Sequence, residues 1–203
     1  YTSEFDNANY TESSFTTGSY KLTEQMIKMM VIKDATNTKV DLYTDPRLPI
    51  IGRKKREYWA GTIAGATMGE ESNNGDKNAA YLNYKLLCRN NCDEWFMDYA
   101  EVEFILAEAA LKGLIPGGET VAKTHYEKAI TASLQKWSDF ASPVDPTLAI
   151  TTEGIQTFLN SGLASWDQAN TQEAKCELIG NQKYLALFWT GMEDWHEYRR
   201  TEY

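Results

Sequence analysis

The sequence is short of the residues that most often carry chemistry. Histidine occurs twice, at His125 and His196, on separate segments. No G-x-S-x-G turn accompanies either, so a Ser-His-Asp arrangement has no support. Cysteine occurs three times, too few for a disulfide scaffold. Proline occurs five times and marks breaks between segments. No apolar run approaches the roughly 18 residues of a membrane-spanning helix. Positive charge is in deficit: 20 Lys and Arg stand against 29 Asp and Glu, a net charge of −9. That balance argues against holding a polyanion by counterion release, so nucleic acid is not an expected partner.

What is present is ordinary for a globular chain: 203 residues, 42% hydrophobic and 24% charged. Such a chain buries a sizeable core. Aromatics reach 12%, with six Trp and twelve Tyr. The first twenty residues are polar and aromatic, with neither a basic nor an apolar leader stretch, so they do not read as a signal peptide. The chain opens on Tyr1 rather than Met, and the expectation is a piece of a longer protein.

Residues 1–93 read as loop-rich with one short helix, and 94–203 as helical. Thr23 and Glu24 open a helix through Met26, Met29 and Met30, while the run Met29 to Lys33 is also strand-compatible. Asp45-Pro46-Arg47-Leu48-Pro49 cannot be helix interior. Residues 52–79 carry five glycines and read as a long loop, a feature that is often functional. Residues 94–112 predict a helix whose stripe of Asp98, Glu101, Glu108 and Lys112 reads as a solvated or ion-paired face. Gly113 stops it, and residues 119–139 predict a second helix. Thr151 to Asn160, Thr171 to Thr190 and Glu193 to Arg200 complete the set. In the second helix, Ala122-x3-Tyr126-x2-Ala129 has the spacing of the second helix of a tetratricopeptide repeat. Small residues there let two helices approach, with the tyrosine filling the groove between them.

Four segments, taken in order, resemble the SusD/RagB family. They are Asp45-Pro46-Arg47-Leu48; the Gly61 and Gly65 pair after Trp59; Asp98-Tyr99-Ala100-Glu101-Val102-Glu103 continuing to Ala107-Glu108-Ala109; and Gln182-Lys183-Tyr184-Leu185-Ala186-Leu187-Phe188 followed by Glu193-x-Trp195-x-Glu197-Tyr198-Arg199-Arg200-Thr201. The resemblance covers residues 21–203. The chain departs from the family pattern at Glu202, where a glycine is usual, and at Ile63-Ala64, where a proline is usual. The resemblance implies the C-terminal portion of an all-α protein with long irregular loops and tetratricopeptide-like hairpins. It implies a lipid-anchored protein on the outer-membrane surface, with the anchor outside this chain. It also implies non-catalytic capture of an oligosaccharide or similar nutrient, and delivery to a TonB-dependent transporter.

The residues themselves suggest sites. Sugars stack on aromatic planes, and Tyr58, Trp59 and Tyr81 flank the glycine-rich loop, so they are the candidate ligand contacts. Glu103 projects among apolar neighbours, and a buried carboxylate needs a partner. Arg199 and Arg200 are the candidate partners, acting as helix-end clamps. Cys88-x3-Cys92 lacks two further zinc ligands nearby in sequence and reads as a disulfide in an oxidising compartment. Cys176 reads as a core residue. Residues 70–76 lack the alternation of an EF-hand loop and read as a turn rather than a calcium site. No metal or cofactor is expected. Two other functions compete: a helical-repeat interaction module without a sugar role, and, third, a glycoside hydrolase, which needs two carboxylates facing across a cleft.

Overall fold

The computed structural model describes residues 21–65, 78–87 and 95–201. They fall into two compact units, Tyr1–Asp93 with Ala141–Leu148, and Glu94–Phe140 with Ala149–Tyr203.

The first unit opens with helix α1, Glu24–Met30, whose first turn is capped by the Thr23 hydroxyl accepting from Met26 N at 3.2 Å. Such a cap contributes about 1 kcal/mol. The β-branched Val31 and Ile32 then switch the chain to strand β1, Val31–Lys33. This pairs antiparallel with β2, Asp41–Thr44, through a bulge between Ile32 and Lys33. Helix α2, Leu48–Ile51, carries Pro49 in its first turn, where a missing N–H costs nothing. Strand β3, Gly52–Arg53, pairs antiparallel with β4, Tyr81–Leu82, and helix α3, Tyr84–Leu87, follows. Leu22, Met26, Met30, Leu48, Ile50 and Ile51 form the core beneath these elements. Gly61 is there for space: a Cβ would run into the Thr23–Glu24 backbone. That close approach lets Glu24 N donate to Thr62 O at 2.8 Å and Thr62 N donate to Leu22 O at 2.9 Å.

The second unit is helical. Helix α4, Tyr99–Leu111, begins later than residue 94, because Asp98 takes the cap by accepting from Glu101 N at 3.2 Å. Phe96 therefore lies outside the helix and is almost fully exposed. Gly113, at φ +73°, supplies the left-handed turn that ends α4. Helix α5, Gly118–Ala141, returns beside it, with the ring of Tyr126 on α5 edge-on to that of Phe104 on α4 at 6.1 Å. Tyr126 is fully buried, also meets Trp166 at 5.1 Å, and donates its hydroxyl to Ala164 O at 2.9 Å. Ala122 and Ala129 beside it are fully buried, as small residues at a close approach should be. Helix α6, Thr152–Leu159, and helix α7, Gln172–Ala186, are capped by Thr151 and Thr171. Helix α8 is Glu193–Thr201.

Helix α7 stops at Ala186, short of Thr190. Leu187 caps it, and Trp189 turns into the left-handed region at φ +73°, a costly conformation for a bulky residue. Trp189 and Trp195 are consequently about half exposed, whereas Trp137 is wholly buried. Among the described residues, no helix is long and apolar enough to cross a membrane.

Candidate functional site

Two places collect candidate residues. The first is the loop after β3. Asp41 on β2 organises it: its carboxylate takes Lys33 Nζ at 2.5 Å and Lys54 Nζ at 2.8 Å, and accepts from Trp59 N at 3.0 Å. Burial pushes the Asp41 pKa up, but these two lysines and the Trp59 amide outweigh it, and the net shift is downward. Lys33 Nζ also donates to Trp59 O at 2.5 Å. With its peptide held at both ends, Trp59 turns its ring inward and is 4% exposed. The expectation of a Trp59 ring open to ligand is therefore not met. Tyr58 and Tyr81 are half-buried. Lys33 Nζ lies 5.3 Å from the Tyr58 ring centre and Lys55 Nζ 5.8 Å from that of Tyr81, and Asn78 Nδ2 donates to Tyr58 Oη at 3.0 Å. Each ring thus already has a cation over it.

The second place is an open groove of about 620 Å³ along α5 and α6. It is lined by Thr124, Glu127, Lys128, Thr131 and Gln135 of α5, by Gln156 of α6 with Asn160 just beyond it, and by Tyr99 of α4, so it carries one charge of each sign. The volume is typical of small-molecule sites, roughly 300–1,000 Å³. Tyr99, one residue past the helix cap, is 62% exposed. Glu103 stands four residues on, where the same helix face comes round again. Glu103 is 5% exposed, and its Oε2 lies 2.6 Å from His125 Nδ1 on α5. Burial raises the Glu103 pKa, but the bonds from Tyr99 and His125 outweigh it, and the carboxyl stays below the ordinary glutamate value. Tyr99 is pushed up, first by its bond to Glu103, and so holds its proton.

This corrects the expected pairing of Glu103 with an arginine, because the α4–α5 hairpin brings His125 there instead. Arg200 goes to a different carboxylate. Its Nη1 donates to Glu108 Oε1 at 3.0 Å, its Nη2 bonds Glu108 Oε2, and Nη2 reaches Glu197 Oε1 at 2.6 Å. Lys112 joins Glu108 at 2.6 Å, and buried Lys183 joins Glu197 at 2.9 Å. Burial pushes Glu108 up, but the hydrogen bonds and charges of Arg200 and Lys112 hold it at about 2. Arg199 is exposed and has no ion pair among the described residues. On the α4 stripe it is the ion-paired reading that the structure shows: the Asp98 and Glu108 side chains are 9% and 13% exposed and both are ion-paired.

Cys88 and Cys92, and the loop 70–76 weighed for calcium, lie outside the described residues. Cys176 is buried with a free thiol, its pKa pushed up by burial. Among the described residues, no group of three His, Cys, Asp or Glu side chains could hold a metal ion. The groove was missed in the sequence because its polar members, read singly, are ordinary helix surface. The available signal was the three- and four-residue recurrence of polar side chains on α5, from Thr124 through Glu127, Lys128 and Thr131 to Gln135, which periodicity assigns to solvent.

The model of a family described as starch-binding and associating with the outer membrane, SusD-like, matches residues 2–203. No curated protein matches the chain. Among solved structures, it is similar to a Bacteroides vulgatus ATCC 8482 outer membrane protein with an inferred role in nutrient binding. The TM-score is 0.63 at 22% identity, over 78% of this chain and 37% of that one. The chain therefore spans well under half the length of that structure, and the likeness speaks to fold alone. The family match runs over nearly every residue: the chain belongs to the SusD-like family.

Proposed function

We propose that the chain is the C-terminal portion of a SusD-like protein. In this reading it captures an oligosaccharide at the bacterial outer membrane without catalysis and hands it to a TonB-dependent transporter. The observation that carries this reading is the family match over residues 2–203. The α4–α5 hairpin is read as a tetratricopeptide-like unit, and the lipid anchor is placed outside this chain. Tyr58 and Tyr81 remain candidate ligand contacts through their exposed edges.

Two of the α4 carboxylates fit binding rather than turnover. Glu103 and Glu108 are held in the charged form, whereas a general acid in a glycosidase needs a raised pKa; burial does push Glu101 up, and assaying for cleaved glycan covers that case. Val102 and Ile105 on α4, and Trp195 and Tyr198 on α8, are large apolar side chains left exposed, which suits contact with another protein. Two measurements test the reading together: a glycan array probed with the intact protein, and affinity purification of that protein from outer membranes. Saturable glycan binding and recovery of a TonB-dependent transporter are expected. Neither glycan nor transporter would refute it.

A further inference from the structure

We infer that the basic strip Arg53-Lys54-Lys55-Arg56, with Lys21 beside it, is a docking surface for the phosphate headgroups of an anionic lipid membrane. It holds this face of the first unit against the membrane, in addition to any anchor. The inference rests on the family's association with the outer membrane and not on glycan capture.

The charge of the chain is unevenly spread. Residues 1–93 hold twelve Lys and Arg against twelve Asp and Glu, while residues 94–203 hold eight against seventeen. The whole deficit therefore lies in the second stretch. Within the first, four bases stand in a row at 53–56, and Glu57 is the one acid among residues 52–58. Residues 53–57 are all exposed. The net charge of −9 argues against a polyanion partner for the chain as a whole. Charges much more than about 8 Å apart are screened at physiological salt, however, so a surface that meets the strip senses the strip.

The fold gathers these cations and leaves them charged. Tyr81 on β4 pairs with Arg53 on β3 and, along its other edge, with Lys21. Residues directly opposite in antiparallel pairs put their side chains on one face, so Lys21, Tyr81 and Arg53 share a face. Lys55 Nζ lies 5.8 Å from the Tyr81 ring centre, and the Arg53 guanidinium 5.4 Å from that of Tyr84. A basic run is usually a solvated face with swinging stems; here two stems are placed over rings. A ring face attracts a cation without neutralising it, and the outward N–H groups remain able to donate. Lys54 is different, since Asp41 takes it at 2.8 Å. Arg53 and Arg56 make no ion pair among the described residues, and Arg56 Nε donates to Asn78 Oδ1 at 3.4 Å. Exposure along the whole run suits an array of separate anions on a surface, not one anion enclosed in a pocket. Basic residues beside tyrosine are also the side chains that favour a membrane–water interface.

Trypsin cuts after Arg and Lys, so the strip reports its own accessibility. The intact protein is held by a terminal polyhistidine tag on vesicles that contain a nickel-chelating lipid. One set of vesicles is phosphatidylcholine, and the other adds about 30 mol% phosphatidylglycerol. A small chromogenic trypsin substrate in each tube corrects for the protease's own activity. Cleavage at 53–56 should be about tenfold slower on the anionic vesicles, which corresponds to a strip seated about nine-tenths of the time. Lys55→Gln combined with Arg56→Gln keeps Arg53 and Lys54 as cleavage sites. At about fivefold per basic residue the pair weakens seating about 25-fold, and the slowing should fall below about twofold. Salt at about 0.5 M should abolish the slowing of the wild type. Both substituted positions are exposed, so thermal melts should stay near wild type. Equal cleavage of the wild type on the two kinds of vesicle would overturn the inference. Slowing that survives the double variant or the salt would trace to steric cover rather than charge and would overturn it as well. Protection by dissolved polygalacturonate but not by anionic vesicles would make an acidic glycan the occupant and overturn the lipid assignment. Capture of a neutral oligosaccharide stands or falls separately from each of these outcomes.

Discussion

Asp45 and Arg47 stand two residues apart, and neither side chain reaches solvent. Arg47 Nε and Nη2 lie 3.0 and 2.6 Å from the two Asp45 oxygens, and Arg47 N donates to Asp45 Oδ1 at 2.8 Å. Burial makes each charge depend on the other. Arg47→Met should cost about 3–5 kcal/mol in urea unfolding, because it strands a buried carboxylate. A loss under about 1 kcal/mol would show that water reaches the site. Glu108 makes the pH-dependent prediction. Its folded pKa, about 2, lies below its ordinary 4.5, so the unfolded chain binds more protons between those values. The contribution is complete above pH 4.5 and is lost as pH falls toward 2. Glu103 and Glu197 shift in the same direction. Glu108→Gln should flatten the acid limb of a stability-versus-pH curve and lower stability at neutral pH. An unchanged acid limb would mean that Arg200 does not hold Glu108 in solution.

At the scale of elements, Lys136 on α5 ties three helices together. Its ammonium bonds Asp98 at the cap of α4, donates to Ala186 O at the end of α7 at 2.9 Å, and lies 4.5 Å from the Trp95 ring centre. Lys136→Met should cost roughly 1–3 kcal/mol and speed amide exchange in the first turn of α4. Unchanged exchange at residues 101–103 would contradict that role. Much of the element order was legible in the sequence: the threonine caps, Gly113 as a stop, and the proline turn at 45–49 all act locally. The ends of α4 and α7 were not. Apolar periodicity runs on through Trp95-Phe96-Met97 and through Phe188-Trp189, but Asp98 cannot be both cap and interior. Periodicity reports which face is apolar, not where a side chain preempts the backbone bond. The partner of Glu103 was illegible for a related reason. Its need for a partner is local, but the identity of that partner depends on how the α4–α5 turn sets the facing register.

At the scale of the molecule, four short motifs in order pointed to a family whose model spans residues 2–203. Those motifs are structural: the Asp45–Arg47 pair, Gly61 against the α1 start, the Asp98 cap, and the Lys183–Glu197–Arg200 cluster. They identify the fold well and the ligand poorly. Trp59 illustrates the difference, since its place beside a glycine-rich loop suggested exposure while long-range bonds from Asp41 and Lys33 turned it inward. Titrating the intact protein with neutral oligosaccharides in a calorimeter, and analysing the same samples for cleavage, tests the central claim most directly. Saturable heat with the oligosaccharide recovered intact is the expected result. Absence of binding across the series, or appearance of shorter products, would contradict it.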